Sequence, residues 1–185
     1  MRKWIAMTVV VLVGGGVAGC TPGGDPTPGP SVVPVTPSPV ESPSPTWTVA
    51  EQQALDAVLK YLEVSNDIEQ HLADADWNRI RDVASDPAVN DALLIWTQWN
   101  MKGWHMEGAP VFEPDYINRG MMDQQGNRYH VHGCYDITQA HLVDRDGNQV
   151  GERGVDRGPI DYLVLFLGVD GSIRVIEDNA EEGTC

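Results

Sequence analysis

Basic residues are scarce in this sequence. Twelve Lys and Arg stand against 27 Asp and Glu, a formal charge of −15. A nucleic-acid backbone needs a basic footprint, so that class of partner is excluded. Long apolar runs are missing too: none reaches the roughly 18 residues of a membrane-spanning helix, which excludes a polytopic membrane protein. No Asn-x-Ser/Thr acceptor occurs, and no nucleophile elbow, P-loop or His-Glu-x-x-His signature appears. Proline is thin over most of the chain, because nine of the 13 fall between Pro22 and Pro45. That imbalance separates a linker from a globular part.

What is present starts with an address. Arg2 and Lys3 precede an apolar stretch from Trp4 to Val17. As a helix it is roughly 20 Å long, too short for a hydrocarbon core of about 30 Å. It reads as a cleavable signal. The stretch ends in Val17-Ala18-Gly19-Cys20, which resembles the lipobox of the bacterial lipoprotein family at all four positions. The resemblance implies a diacylglycerol and a fatty acid such as palmitate on Cys20, with cleavage after Gly19. Residues 1–19 are then a signal peptide and residues 20–46 a lipidated cysteine with a Pro-rich linker. The tract is extended and semi-rigid, reaching on the order of 80 Å. Losing Arg2 and Lys3 deepens the charge to −17, which resists close contact with an anionic lipid surface. The expected location is the cell membrane, lipid-anchored on the extracytoplasmic side.

Residues 47–185 are long enough for one real core. Thr48-Val49-Ala50-Glu51 is a capping box. Ala54, Leu55, Val58, Leu59 and Leu62 follow at helical spacing. A second helix is expected over Ala75 to Ala84, capped by Asp74. A third is expected from Asp86 as N-cap and Pro87 at the first helical position to a stop at Gly103. Strands follow: Trp104 to Phe112 with a break near Gly108-Ala109-Pro110, Arg128 to Ile137, Ala140 to Asp144, Ile160 to Leu167 and Ile173 to Glu177. Ile160 to Leu167 is apolar on both faces and reads as central. Asp146-Gly147 and Asp170-Gly171 are hairpin turns.

This order of elements resembles the nuclear transport factor 2-like family, with its SnoaL-like members. Cys134-Tyr135-Asp136 and Gly183-Thr184-Cys185 look like segments of secreted members. The resemblance implies an α+β fold: three N-terminal helices packed on a curved, mainly antiparallel sheet, a cystatin-like cone. A different α+β fold is the alternative.

Cysteine parity points to a bond. With Cys20 lipidated, Cys134 and Cys185 remain as a pair in an oxidising compartment. The expectation is a disulfide; the alternative is two free thiols, one of them metal-bound. His130, His132 and Cys134 share one strand face, with Asp136 beyond and Val131, Tyr135 and Ile137 opposite. A His-x-His pair can share zinc. Oxidation removes the thiolate, and a third nitrogen would have to come from His105 or His141. No metal and no cofactor are therefore expected. Asp144-Arg145-Asp146-Gly147-Asn148 fails the spacing of an EF-hand loop and reads as a turn. Trp47, Trp77, Trp96, Trp99 and Trp104 are core-like at their spacings. The pocket expected from these patterns is His130, His132, Asp136, Tyr135, Trp96 and Trp99.

No catalytic residue is assigned, and the 25 carboxylates of residues 47–185 make any acidic pair uninformative. The expected function is that of a non-catalytic ligand-binding or protein-interaction domain. Its partners are the membrane, through the lipid anchor only, and a small apolar ligand or an envelope protein. The alternatives are an enzyme of isomerase or SnoaL-like type using the cone, and a structural envelope component.

Overall fold

The structure is a computed structural model and describes residues 46–120, 126–151, 156–167 and 171–185. The signal segment, Cys20, most of the linker and Asp170 lie outside the described residues. The chain divides between Ser42 and Pro43, and the unit beginning at Pro43 is the one described. It is α+β with a mainly antiparallel sheet. No described helix is long and apolar enough to cross a membrane.

Helix α1 spans Val49–Gln70. Its start is fixed by the expected capping box. Thr48 N donates to Glu51 Oε2 at 2.7 Å and Glu51 N donates to Thr48 Oγ1 at 3.3 Å. The buried stripe is Ala54, Leu55, Val58, Tyr61, Val64, Ser65 and Ile68. Leu59, expected in that stripe, points outward and is 44% exposed.

The second expected helix is a 3-10 helix, Trp77–Asp82, so two α-helices stand where three were expected. Its N-cap is Asp76 rather than Asp74. It cannot lengthen, because Ala84 is drawn into a parallel bridge with Val175. Ser85 N donates to Val175 O and Val175 N donates to Val83 O. Helix α2 spans Ala88–Lys102, with Pro87 rather than Asp86 as N-cap. It stops at Gly103, whose φ of 72° is the left-handed cap that glycine adopts without strain.

Six strands follow among the described residues: β1 His105–Glu107, β2 Val111–Arg119, β3 Gly126–Asp136, β4 His141–Val143, β5 Arg157–Leu167 and β6 Ile173–Ala180. The main sheet has the order β2-β3-β5-β6, every pair antiparallel, and β1 pairs with β4 in a separate ribbon. The break at Gly108 therefore splits two strands belonging to different sheets. β2 runs beyond Phe112, where the expected strand ended, through Glu113-Pro114-Asp115. The edge position tolerates Pro114, whose missing N–H coincides with a register shift between Pro114 and Tyr116.

The helices cover one face of this sheet. Ile117, Tyr129, Val131, Tyr162, Val164 and Val175 meet the α1 stripe, Ile80 and Trp96 there. The opposite face carries a smaller buried cluster, Leu163, Leu165 and Ile176. Gly133 in β3 is required by packing: a Cβ there would come within 2.5 Å of the Phe112 ring. That ring instead meets Tyr162 edge-on, with centroids 5.3 Å apart.

Candidate functional site: two faces of one sheet

The expected pocket residues do not form one pocket. Strand alternation sends Tyr135 beneath the helices and His130 and His132 to the outer face. Asp136 joins neither group. Its Oδ1 accepts from Thr138 Oγ1 at 2.7 Å and Thr138 N at 2.8 Å, which closes a turn and holds its carboxyl below the usual range. Trp99 packs half-buried against the core. Trp96 is 1% exposed and reaches the chamber beneath the helices through its Nε1.

That chamber has a volume of about 110 Å³ and is lined by Tyr61, Ser65, Asn66, Glu69, Tyr135, Tyr162 and Asp178 among others. Tyr61, Ser65 and Glu69 stand at i, i+4 and i+8 on α1, a polar interruption of its buried stripe. Tyr61 Oη donates to Asp178 Oδ2 at 3.1 Å, and Trp96 Nε1 donates to Glu69 Oε1 at 3.1 Å. Burial pushes the Glu69 carboxyl up to about 7, the Trp96 donor opposes this and the charge of Asp178 adds to it. Burial, then the carboxylate of Asp178, raises the Tyr61 hydroxyl far above its ordinary value. Burial, then the charges of Glu69 and Asp178, raises Tyr135 likewise. The chamber thus raises two phenols and one carboxyl together. Sequence reasoning missed Tyr61, Glu69 and Asp178. The i, i+4, i+8 polar spacing on α1 was the available signal for two of them. The register shift between Leu163 and Val164 hid the third, by breaking the alternation of β6 against β5.

The outer face differs. His132 lies opposite Asp161 in the β3–β5 register, and His130 lies opposite Leu163. His130 Nδ1 is 2.8 Å from Asp161 Oδ2, and His132 Nε2 is 3.5 Å from Asp161 Oδ1. One ligand-capable atom from each of the three lies within 4.8 Å of the others. The His132 ring stacks on Tyr116, centroids 4.2 Å apart at 24°. His105 and His141, the sequence candidates for a third nitrogen, belong to the β1–β4 ribbon and are not part of this group.

Beside the histidines runs a groove of about 420 Å³, lined by Glu113, Asp115, Tyr116, His132 and Glu181 among others. Its wall includes the disulfide between Cys134 and Cys185, Cα atoms 5.9 Å apart. Arg157 Nε approaches Cys134 Sγ at 2.8 Å, and the same guanidinium forms an ion pair with Glu113. Asp144, in the segment that failed the calcium spacing, spends Oδ1 on the amides of Asp146 and Asn148, both at 2.9 Å. It is a turn-closing carboxylate.

No family profile matches the chain, and no curated protein matches it. Among solved structures it is similar to the intermembrane space region of the chloroplast protein ARC6. The TM-score is 0.55 at 13% identity, covering 74% of this chain and 98% of that one. At that identity the likeness shows the fold alone. It is also similar to Aln2 from a Streptomyces species, at 10% identity over 70% of this chain and 90% of that one. The TM-score of 0.38 is too low to bear on the site.

Proposed function

We propose that this chain is a lipid-anchored, extracytoplasmic binding module of nuclear transport factor 2-like form. Its ligand carries positive charge and docks on the outer face of the sheet, not in the chamber beneath the helices. One observation carries this reading. The chamber offers about 110 Å³ and the outer groove about 420 Å³, whereas small-molecule sites run from roughly 300 to 1,000 Å³. The small apolar ligand named among the expected partners would find only about 110 Å³ inside, which speaks for the outer face. The groove instead gathers Glu113, Asp115 and Glu181 around Tyr116 and His132. Arg157 already pairs with Glu113, so Asp115 and Glu181, the latter 3.9 Å from His132 Nδ1, are the acids that would meet a cation. The lipobox at Cys20 and the proline tract support anchoring at a distance from the membrane.

A short oligolysine peptide titrated into the full chain in detergent tests the groove. Binding is expected to weaken about tenfold in Asp115→Asn plus Glu181→Gln. It should hold in Asp82→Asn plus Asp91→Asn, which removes equal charge from exposed helical positions. Equal loss in both doubles reduces the effect to net charge and removes the site. Anchoring is tested separately: Cys20→Ala should abolish both detergent partitioning and the diacylglyceryl mass on the mature chain.

The enzyme reading keeps one observation in its favour. Glu69, held near 7, is matched to general acid–base work at neutral pH, with Tyr61 and Asp178 beside it. The chamber admits a few water molecules and no sizeable substrate. An opening of α1 from the sheet, seen as rapid hydrogen exchange at Tyr61 to Glu69, is what that reading requires.

A further inference from the structure

We infer that His130, His132 and Asp161 form a binding site for one divalent transition-metal ion of zinc-like chemistry on the outer face of the sheet. The inference rests on that face being the working surface of the domain. It reverses the expectation of no metal, which rested on the lack of a third ligand in sequence. Strand β5 supplies that ligand as a carboxylate.

The geometry is set by backbone pairing. His130 and His132 are two residues apart on β3 and share a face, and Asp161 is the direct partner of His132 on β5. Zinc held at about 2.0–2.2 Å by nitrogen and oxygen keeps its tetrahedral ligands about 3.3 Å apart. The two His–Asp separations, each to a different oxygen of Asp161, are 2.8 Å and 3.5 Å, on either side of that value. The three ligand atoms all lie within 4.8 Å of one another, so the side chains must draw together to seat an ion among them. Two neutral imidazoles and one carboxylate suit zinc or ferrous iron, whereas calcium and magnesium demand all-oxygen shells.

Two unspent atoms point to a cation rather than to a closed hydrogen-bond triad. Asp161 Oδ1 and His132 Nδ1 are buried and have no hydrogen-bond partner. A carboxylate whose side chain is 13% exposed loses much of its hydration, and leaving one of its oxygens unspent is costly. A metal at the junction uses that oxygen together with His132 Nε2. The other nitrogen of His132 then faces Glu181 Oε1, 3.9 Å away. Ligating histidines commonly give their second N–H to such a carboxylate, which fixes tautomer and ring. Stacking on Tyr116 holds the same ring from its face. His130, 38% exposed, leaves a path for the ion. The coordination positions the protein does not fill are left for water or for a donor group of a ligand.

The test uses the full chain in detergent, stripped with chelator and titrated with Zn²⁺ against a chromogenic competitor. Co²⁺ serves as a spectroscopic probe. One equivalent should bind, with a visible ligand-field band for Co²⁺. Glu181→Gln should weaken binding about tenfold and leave the stoichiometry unchanged. His130→Gln and the isosteric Asp161→Asn should each weaken it more, by about 100-fold, with far-UV circular dichroism unchanged. Uptake below a tenth of an equivalent overturns the inference, as does undiminished binding in both ligand variants. The oligolysine titration is read on the chelator-stripped wild-type chain: no zinc uptake with peptide binding intact sinks the metal site alone, and zinc uptake with no peptide binding sinks the groove alone.

Discussion

The inner and outer faces of the same four strands treat their titratable groups in opposite ways. Beneath the helices, Tyr61, Tyr135, Glu69 and Asp178 share a chamber of about 110 Å³, and burial raises both phenols and pushes Glu69 up to about 7. One peptide bond away from Tyr162, which lines that chamber, Asp161 turns outward to His130 and His132 beside an open groove. The difference lies in what covers each face. Helices α1 and α2 exclude water from one side, so charge is suppressed there. The other side stays open to water along the groove. On the proposed reading, polar residues on the inner face serve stability and those on the outer face serve binding.

The largest expected effect tests the inner side. Trp96 is fully buried, meets Trp77 edge-on at 6.3 Å and donates to Glu69. Trp96→Ala should cost about 3–5 kcal/mol in urea unfolding, from the cavity and the orphaned carboxyl together. A loss under about 1 kcal/mol would mean that the inner face is not the core.

Next comes the covalent tie on the outer side. Cys134 and Cys185 close a loop with a sequence separation of 51. Replacing both with Ser should cost about 2–4 kcal/mol, chiefly by releasing the unfolded chain. Non-reducing peptide mapping of native protein should recover the cross-linked pair; two free thiols would remove the groove's wall as described.

Glu69 gives a smaller effect, confined to a pH window. Its folded value of about 7 lies above the 4.5 of an ordinary glutamate. The folded state therefore binds the proton more tightly. The stabilising contribution is full below about 4.5 and is lost as pH rises through about 7. The loss amounts to about 3 kcal/mol. Glu69→Gln keeps an acceptor for Trp96 Nε1 and should be flat across that window. Parallel curves for wild type and variant would show that the carboxyl is hydrated.

Much of this architecture was legible in sequence, for local reasons. The capping box at Thr48 and Glu51, the stop at Gly103 and the alternation of β3 depend on near neighbours, and each lies where the pattern put it. The disulfide followed from parity. What failed depends on distant partners. The helix expected from Ala75 shortened because Ala84 pairs with Val175. The second half of β2 was hidden by Pro114, which only an edge position tolerates. The pocket mixed residues of both faces, since His130 and Tyr135 were chosen for chemistry against their own alternation. Asp161 is 29 residues beyond His132, and only the β3–β5 register makes them neighbours.

The smallest expected effect is on the outer face, and it separates binding from stability most cleanly. His130→Ala plus His132→Ala removes two rings that the helices do not cover. His132 loses its stack on Tyr116, and Asp161 loses its contact with His130 Nδ1. Asp161 then regains water in their place, because the truncated side chains open its surroundings to the groove. In metal-free buffer the double variant should therefore unfold within about 1 kcal/mol of wild type, the range typical of partly exposed sites. Far-UV and near-UV circular dichroism should be unchanged. A loss of about 3 kcal/mol or more would show that the histidine pair is structural, with Asp161 stranded as a buried charge once they are gone. The two faces would then share one role. A near-silent double variant that has lost its zinc would leave the outer trio answering to a ligand and the inner chamber to the fold.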